Sequence, residues 1–303
     1  MRDAGTVVQG AAVPQVRSRV GERGTRLRRA FSRALIYAVL ITGAVLIFVP
    51  FAWTISTSLK TEKQTLEYPP SWIPNPVMWS NYYHALTVRP FALYYRNTFI
   101  IAVLSVFGQV LSSAVVAYGF ARFRFPGRSL LFAIVLSTLM IPFHLLIIPR
   151  FILFKLLGWL DTFLPLIVPN FFGSAFSIFL LRQYFQTIPM DLDEAAKMDG
   201  ASSLQIFARI ILPLAKPGLG AVAVFEFVSA WEDFMGPLIY LSSERNYTVS
   251  LGLAAFRSEY FTQWNLFMAA AAVAMIVPLI VFFVAQKYFI GGVALTGSGG
   301  LKG

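Results

Sequence analysis

An all-α integral membrane fold with six spans is what the sequence predicts, and three observations predict it. The chain is 57% hydrophobic and only 13% charged, where an ordinary soluble domain carries roughly 25% charged residues, and its mean hydropathy is +0.67. Charge is absent from five long runs, Ala34 to Leu59, Asn97 to Ala121, Ser129 to Pro149, Thr162 to Leu181 and Tyr260 to Gln286. Each has the ~20 residues a helix needs to cross ~30 Å of hydrocarbon. Finally, the basic residues concentrate in alternate connecting segments, as they do in a chain threaded through a bilayer.

Residues 1–30 mix Gly, Pro, Ser and Arg without hydrophobic periodicity, which reads as a disordered basic cytoplasmic tail lying against anionic lipid. The first span, about 34–59, is too long for a signal h-region and lacks a small-residue cleavage site, so it is a permanent helix. Between Lys60 and Arg96, Pro69, Pro70, Pro74 and Pro76 alternate with Tyr68, Trp72, Trp79, Tyr82 and Tyr83. Such a loop is irregular and sits at the headgroup level, as an interfacial belt or as a docking surface for another protein. The second span covers about 97–121. The third, about 129–150, holds Pro142 and Pro149 and is expected to kink at its outer end.

A fourth span at about 162–182 and a fifth at about 216–241 flank a long inner connection. The fifth is apolar except for Glu226, Glu232 and Asp233; it reads as a span with a polar interior face, or alternatively as a re-entrant segment. The sixth, about 262–287, leads to a Gly-rich cytoplasmic tail at 291–303. Residues 31–290 therefore form one membrane domain. Eight arginines precede the first span, and with the N-terminus inside, 17 of the 25 Lys and Arg fall on inner segments, so both termini are expected in the cytoplasm.

Composition also excludes chemistry. There is no cysteine and only two histidines, His84 and His144, which rules out disulfides and thiolate metal sites and sets redox and zinc chemistry aside; no catalytic or metal-binding residue is assigned. No G-x-x-x-x-G-K-[ST] loop occurs, so the chain is assigned no ATP site of its own. The net charge of +11 follows the membrane sidedness just described, and no nucleic-acid partner is expected.

The inner connection from Arg182 to Lys216 is too long for a turn. Asp191 with Glu194 three residues later has the spacing of a capping box at a helix start, and Gly200 supplies a left-handed stop after Asp199. Ser202 with Gln205 repeats the capping-box spacing, and a second helix runs to Leu212-Pro213. The pair forms a docking knob, with Ala195 and Ala196 small enough for another protein to approach closely.

Glu194-Ala195-Ala196, then Gly200, then nine residues, then Ile210-Ile211-Leu212-Pro213, resembles the EAA signature of ABC importer permeases. Asn97-Thr98, the run from Tyr118 to Gly127, Met140-Ile141-Pro142, Ile148-Pro149 and Trp231-Glu232-Asp233-Phe234 are similar to the carbohydrate-uptake branch of that family. In that branch Asn is usual where Glu232 stands. The end after Tyr288 is similar to the tail of the smaller maltose-transporter permease.

The resemblance implies a type I ABC importer permease fold and a coupling role for Glu194, Ala195, Ala196, Asp199, Gly200, Ala201 and Pro213. It also implies partners: a sister permease in a heterodimer, a homodimeric cytoplasmic ATP-binding subunit that uses ATP and Mg, an extracytoplasmic solute-binding protein, and membrane lipid. The chain itself would be no enzyme and bind no cofactor, and the location would be a bacterial or archaeal cytoplasmic membrane. Trp231, Glu232 and Asp233 are the first candidates for the translocation pathway, followed by Glu226, Gln109 and Asn170. The cargo would be a sugar or sugar-like solute, or alternatively glycerol 3-phosphate or another polyol-like solute. From the residues alone, Glu226 and Asp233 share a helical face and leave open an ion-coupled secondary transporter.

Overall fold

In the computed structural model, which describes residues 19–257 and 262–297, the chain forms two compact units, residues 1–53 and 54–303. The first unit is most of α1 (Arg19–Ser58), a 40-residue helix. Its apolar stretch Phe31–Ser58 has 28 residues, about 42 Å at 1.5 Å per residue, and its side chains from Phe31 to Phe48 are largely exposed. The tail expected over 1–30 is thus helical from Arg19; a helix once nucleated extends through Arg, Leu and Ala at little cost. The rest of that tail lies outside the described residues.

The second unit is built on α3 (Phe91–Arg122), a 32-residue helix. Before it stands α2 (Ser80–Thr87), and after it α4 (Arg128–Ser137) and α5 (Phe143–Leu156). The fourth apolar run opens with short helical turns, Leu164–Ile167 and Val168–Phe172, and continues as α6 (Ala175–Thr187). Then come α7 (Asp191–Met198), α8 (Ser203–Leu214), α9 (Lys216–Glu232), α10 (Met235–Tyr240), α11 (Val249–Ala254) and α12 (Trp264–Gly297). α3 packs against α6 and α9, and α9 against α12.

Two apolar cores lie at opposite ends of α3. One joins Ala117, Tyr118 and Phe120 to Leu181 and Phe185 of α6, Ala196 of α7, and Ile206, Phe207 and Ile211 of α8. The other joins Phe91 and Tyr94 to Val249, Phe256, Ala269 and Ala270. Helices approach closely where Gly218 of α9 faces Tyr184 of α6: a Cβ there would lie 2.9 Å from the ring Cγ.

Among the described residues, four helical segments are long and apolar enough to cross a membrane, and six are if each of two bent pairs is one span. The bends refine the sequence-based picture. The expected kink in the third span is a break of 96° between α4 and α5, with Ile141 extended at φ −84°, ψ 111° as a residue before proline prefers. Pro149, by contrast, lies inside continuous α5. A second bend of 77° separates α8 from α9. The fifth run does not continue helically to Leu241: α9 ends at Glu232, Asp233 is extended, and α10 follows. At the C-terminus, residues 291–297 of the expected tail continue α12, and 298–303 lie outside the described residues.

The connections at the other end are tied by polar side chains. Asn97 donates to the carbonyls of Arg245 and Tyr247 at 2.8 and 3.0 Å, and Arg89 pairs with Glu244 at 3.2 Å. Asp161, at φ 58°, accepts the Ser243 hydroxyl and the amides of Ser243 and Ser242 at 2.9 and 3.0 Å. Those donors, the hydroxyl first, hold its carboxyl well below the usual carboxylate range because they favour the charged form.

Candidate functional site

Two places in the second unit carry functional chemistry. The first is the knob formed by α7 and α8. Pro189 and an extended Ile188 end α6, and Asp191, Asp193 and Glu194 place three carboxylates in the first turn of α7, where the helix dipole favours negative charge. The stop is a Schellman turn: Gly200 N donates to Lys197 O at 3.0 Å and Ala201 N to Ala196 O at 2.9 Å. Gly200 takes φ +82°, which costs glycine nothing. The capping box at Ser202 is formed in both directions, Ser202 N to Gln205 Oε1 at 2.7 Å and Gln205 N to Ser202 Oγ at 3.3 Å. The capping box expected at Asp191 is not formed. Met190 is the N-cap and contributes no side-chain capping hydrogen bond, because helix geometry already begins one residue before Asp191.

The knob presents one face and buries the other. Glu194, Ala195, Lys197, Met198, Asp199 and Gly200 are exposed, as is Pro213, while Ala201 is half-buried. Ala196 does not face a partner as the sequence suggested. It is 9% exposed and sits in the core with Ile206 and Phe207, three residues after Asp193 on the same helical face.

The second place is a cavity of about 150 Å³ where α9 breaks, walled by Ile101 of α3, Arg150 of α5, Asn170, Glu226 and Ser229 of α9, and Asp233. Asp233 Oδ1 accepts Gly236 N at 3.0 Å, which turns the chain into α10. Asn170 donates to Leu166 O at 2.9 Å. The wall thus offers two carboxylates, a guanidinium, an amide and a hydroxyl within an apolar helix bundle, where ionisable groups are costly and mark a pathway or pairing.

Of the six pathway candidates, the cavity brings together Glu226, Asp233 and Asn170 and excludes the others. Trp231 is 4% exposed and packs against Phe99, Phe227 and Tyr95, with ring centroids 5.2, 5.7 and 5.9 Å away. Glu232 is exposed and borders a separate groove with Ala271 and Pro278. Gln109 is buried between α3 and α6; with its oxygen toward Ser174 and Ser177 and its nitrogen toward Asn170 O, every contact is satisfied at 2.6 to 3.2 Å. It joins helices. The sequence reading missed Arg150, which lies outside its pathway list because an arginine at a span end is ordinarily an interfacial residue. It also missed Asp193, whose spacing to Ala196 marks it as inward-facing.

Residues 109–294 match the family described as binding-protein-dependent transport system inner membrane component. The chain is 34% identical over 247 residues to a probable ABC transporter permease protein of Pyrococcus horikoshii, covering 80% of this chain and 90% of that one. It is 33% identical over 264 residues to the diacetylchitobiose uptake system permease protein NgcG of Streptomyces coelicolor, covering 86% and 87%. To the sn-glycerol-3-phosphate transport system permease protein UgpE of Yersinia pestis it is also 33% identical over 264 residues, covering 84% and 94%. Among solved structures, a bacterial ABC transporter involved in the import of the acidic polysaccharide alginate is 26% identical and superposes with a TM-score of 0.74, covering 87% of this chain and 98% of that chain. The matched stretch is more than half the chain and holds both the knob and α9, so this protein belongs to the family of binding-protein-dependent transport system inner membrane components, the multi-pass membrane subunits of ABC transporters.

Proposed function

We propose that this chain is the permease subunit of an ATP-driven importer of a sugar or sugar-like solute, with α7 as the helix that engages an ATP-binding partner. The observation that carries the reading is the knob itself. Two short helices are locked at Gly200 by a Schellman turn and a capping box, their inner face fused to the core that α3 and α6 share. A partner that moves such a rigid contact moves spans with it, which is what conversion of ATPase closure into helix motion requires. Glu194, Ala195, Asp199 and Gly200 supply the contact face, Ala196 seats the helix, and Ala201 and Pro213 shape the exit into α8 and α9.

In this reading the knob is cytoplasmic, as are both termini, and the opposite end receives solute from an extracytoplasmic binding protein. The cavity at Asp233 is smaller than the ~300 Å³ at which ligand pockets begin, consistent with one wall of a pathway completed by a sister permease. Sugar hydroxyls suit the Asn170 amide and the Glu226 and Asp233 carboxylates. A phosphate ester would meet two carboxylates against one guanidinium there, so the wall favours a neutral sugar over glycerol 3-phosphate. ATP and Mg belong to the partner, which is expected as two copies of one ATPase beneath the two permeases.

The test is uptake into vesicles holding the whole assembly. Transport should require internal ATP and survive collapse of proton and sodium gradients. Uptake that needs a gradient and ignores ATP would replace this reading with an ion-coupled carrier working through Glu226 and Asp233.

A further inference from the structure

A charged pair lies sealed between α3 and the knob, and the transport reading above does not use it. Arg122 is the last residue of α3 and Asp193 lies in the first turn of α7; Nε and Oδ2 are 3.3 Å apart, and each side chain is 3% exposed. The contact is an ion pair rather than an aligned hydrogen bond, and Asp193 Oδ1 has no hydrogen-bond partner. The same guanidinium donates from Nη2 to Ile188 O at 3.1 Å and brings Nη1 within 2.8 Å of Met190 Sδ. One side chain therefore touches the linker, the N-cap and the first turn of α7. One turn earlier on α3, Tyr118 donates to Ser203 O at 3.2 Å and packs on Phe207 with ring centroids 4.9 Å apart. α3 thus grips the knob on both sides of the Gly200 turn.

The covalent route from α7 into the bundle is weaker. Ile188 is extended at φ −79°, ψ 126°, so the Ile188–Met190 link to α6 is a joint, not a rod. α3 is a rod: from Arg122 it runs unbroken to Ile101 in the cavity wall, about 32 Å away at 1.5 Å per residue. Along it Ser105 donates to Leu166 O at 3.2 Å, on the wall opposite.

Resting on the transport reading, we propose that Arg122 and Asp193 are the positioning pair through which movement of α7 reaches the cavity, with α3 as the transmitting helix. Asp193 directly precedes Glu194 of the contact face, so force applied by the ATPase arrives at the turn the pair fastens. An ion pair suits this duty in a way packing alone does not. Packing holds these surfaces together, and the pair adds a directional restraint to it, because separating a desolvated pair strands a buried charge.

The experiment uses the complete transporter, purified through a tag on this chain. Because the chain contains no cysteine, Lys197→Cys and Val115→Cys give two spin-label sites, one on α7 and one on exposed α3. The distance between them should be the same with and without ATP. In the double variant R122Q/D193N, which strands no buried charge, the complex should assemble as the parent does. Its label distance should become nucleotide-dependent, and the ATP consumed per solute should rise about tenfold, within the usual range of coupling between sites. A conservative R122K should recover part of that loss. The pair's role is overturned if the double variant couples as the parent does, or if the parent's own α7–α3 distance changes with ATP while uptake remains ATP-driven. Loss of ATP dependence in the parent would instead refute the transport reading.

Discussion

Gly200 offers the most direct separation of backbone from contact effects at the knob. It holds φ +82°, and a Cβ built on it meets nothing within 4 Å, so within this chain a side chain at 200 costs only conformation. For an ordinary L-residue that cost is about 1–2 kcal/mol, enough to shift the turn's population about 5–30-fold yet small beside the burial that holds Ala196 and Ile206 in the core. Asn tolerates the left-handed region better than Ala, and a β-branched residue tolerates it worst. If Gly200 serves by conformation, the ratio of solute transported to ATP hydrolysed in proteoliposomes should fall in the order Gly, Asn, Ala, Val. If it serves by letting a partner approach the backbone, side-chain volume decides, and Ala must outperform Asn. The second order, or four equal ratios, refutes the reasoning.

Two further outcomes follow from packing and charge. Gly218→Ala should lower the melting temperature of the purified protein, because its Cβ would lie 2.9 Å from Tyr184 Cγ at the base of a buried ring, an overpacking cost of about 1–3 kcal/mol. Gly119→Ala, where a Cβ meets nothing within 4 Å, should show no such loss. At Asp161 the folded carboxyl titrates below its ordinary value, so its stabilisation is complete above the unfolded pKa of about 3.9 and declines as pH falls from there toward the folded value. The protection of amides over residues 241–247, relative to their intrinsic exchange rates at each pH, should therefore fall in acid. Asp161→Asn, which keeps a residue suited to φ 58°, should exchange faster at pH 7 by about 1–2 kcal/mol of lost charge-assisted bonding and show less change with acid; identical acid slopes would contradict the assignment.

Much of this protein was readable without coordinates, for reasons that differ by element. Lipid imposes a one-dimensional rule, since a helix must stay apolar for ~20 residues, and the charge-free runs expose it. The Gly200 stop and the Ser202 capping box are local as well, set by residues within three positions of each other. The same local reasoning failed at Asp191, where the chain leaving Ile188 had already entered helical geometry.

Local residue patterns thus suffice for an all-α membrane chain with a two-helix knob between its fourth and fifth apolar runs. Which polar residues share a site depends instead on how the helices pack. Glu226 and Asp233 share a cavity wall with Asn170 and Arg150, where α9 breaks at Asp233 and the helix of the fourth run is interrupted at Gly173. Trp231 and Gln109, equally plausible by composition, are taken up by aromatic packing and by a closed amide network. Arg122 and Asp193 stand 71 positions apart in segments that look solvated. Their burial as a pair follows only from the way α3, α6 and α8 close around them, because a desolvated charge is stable only where the fold delivers its counter-charge.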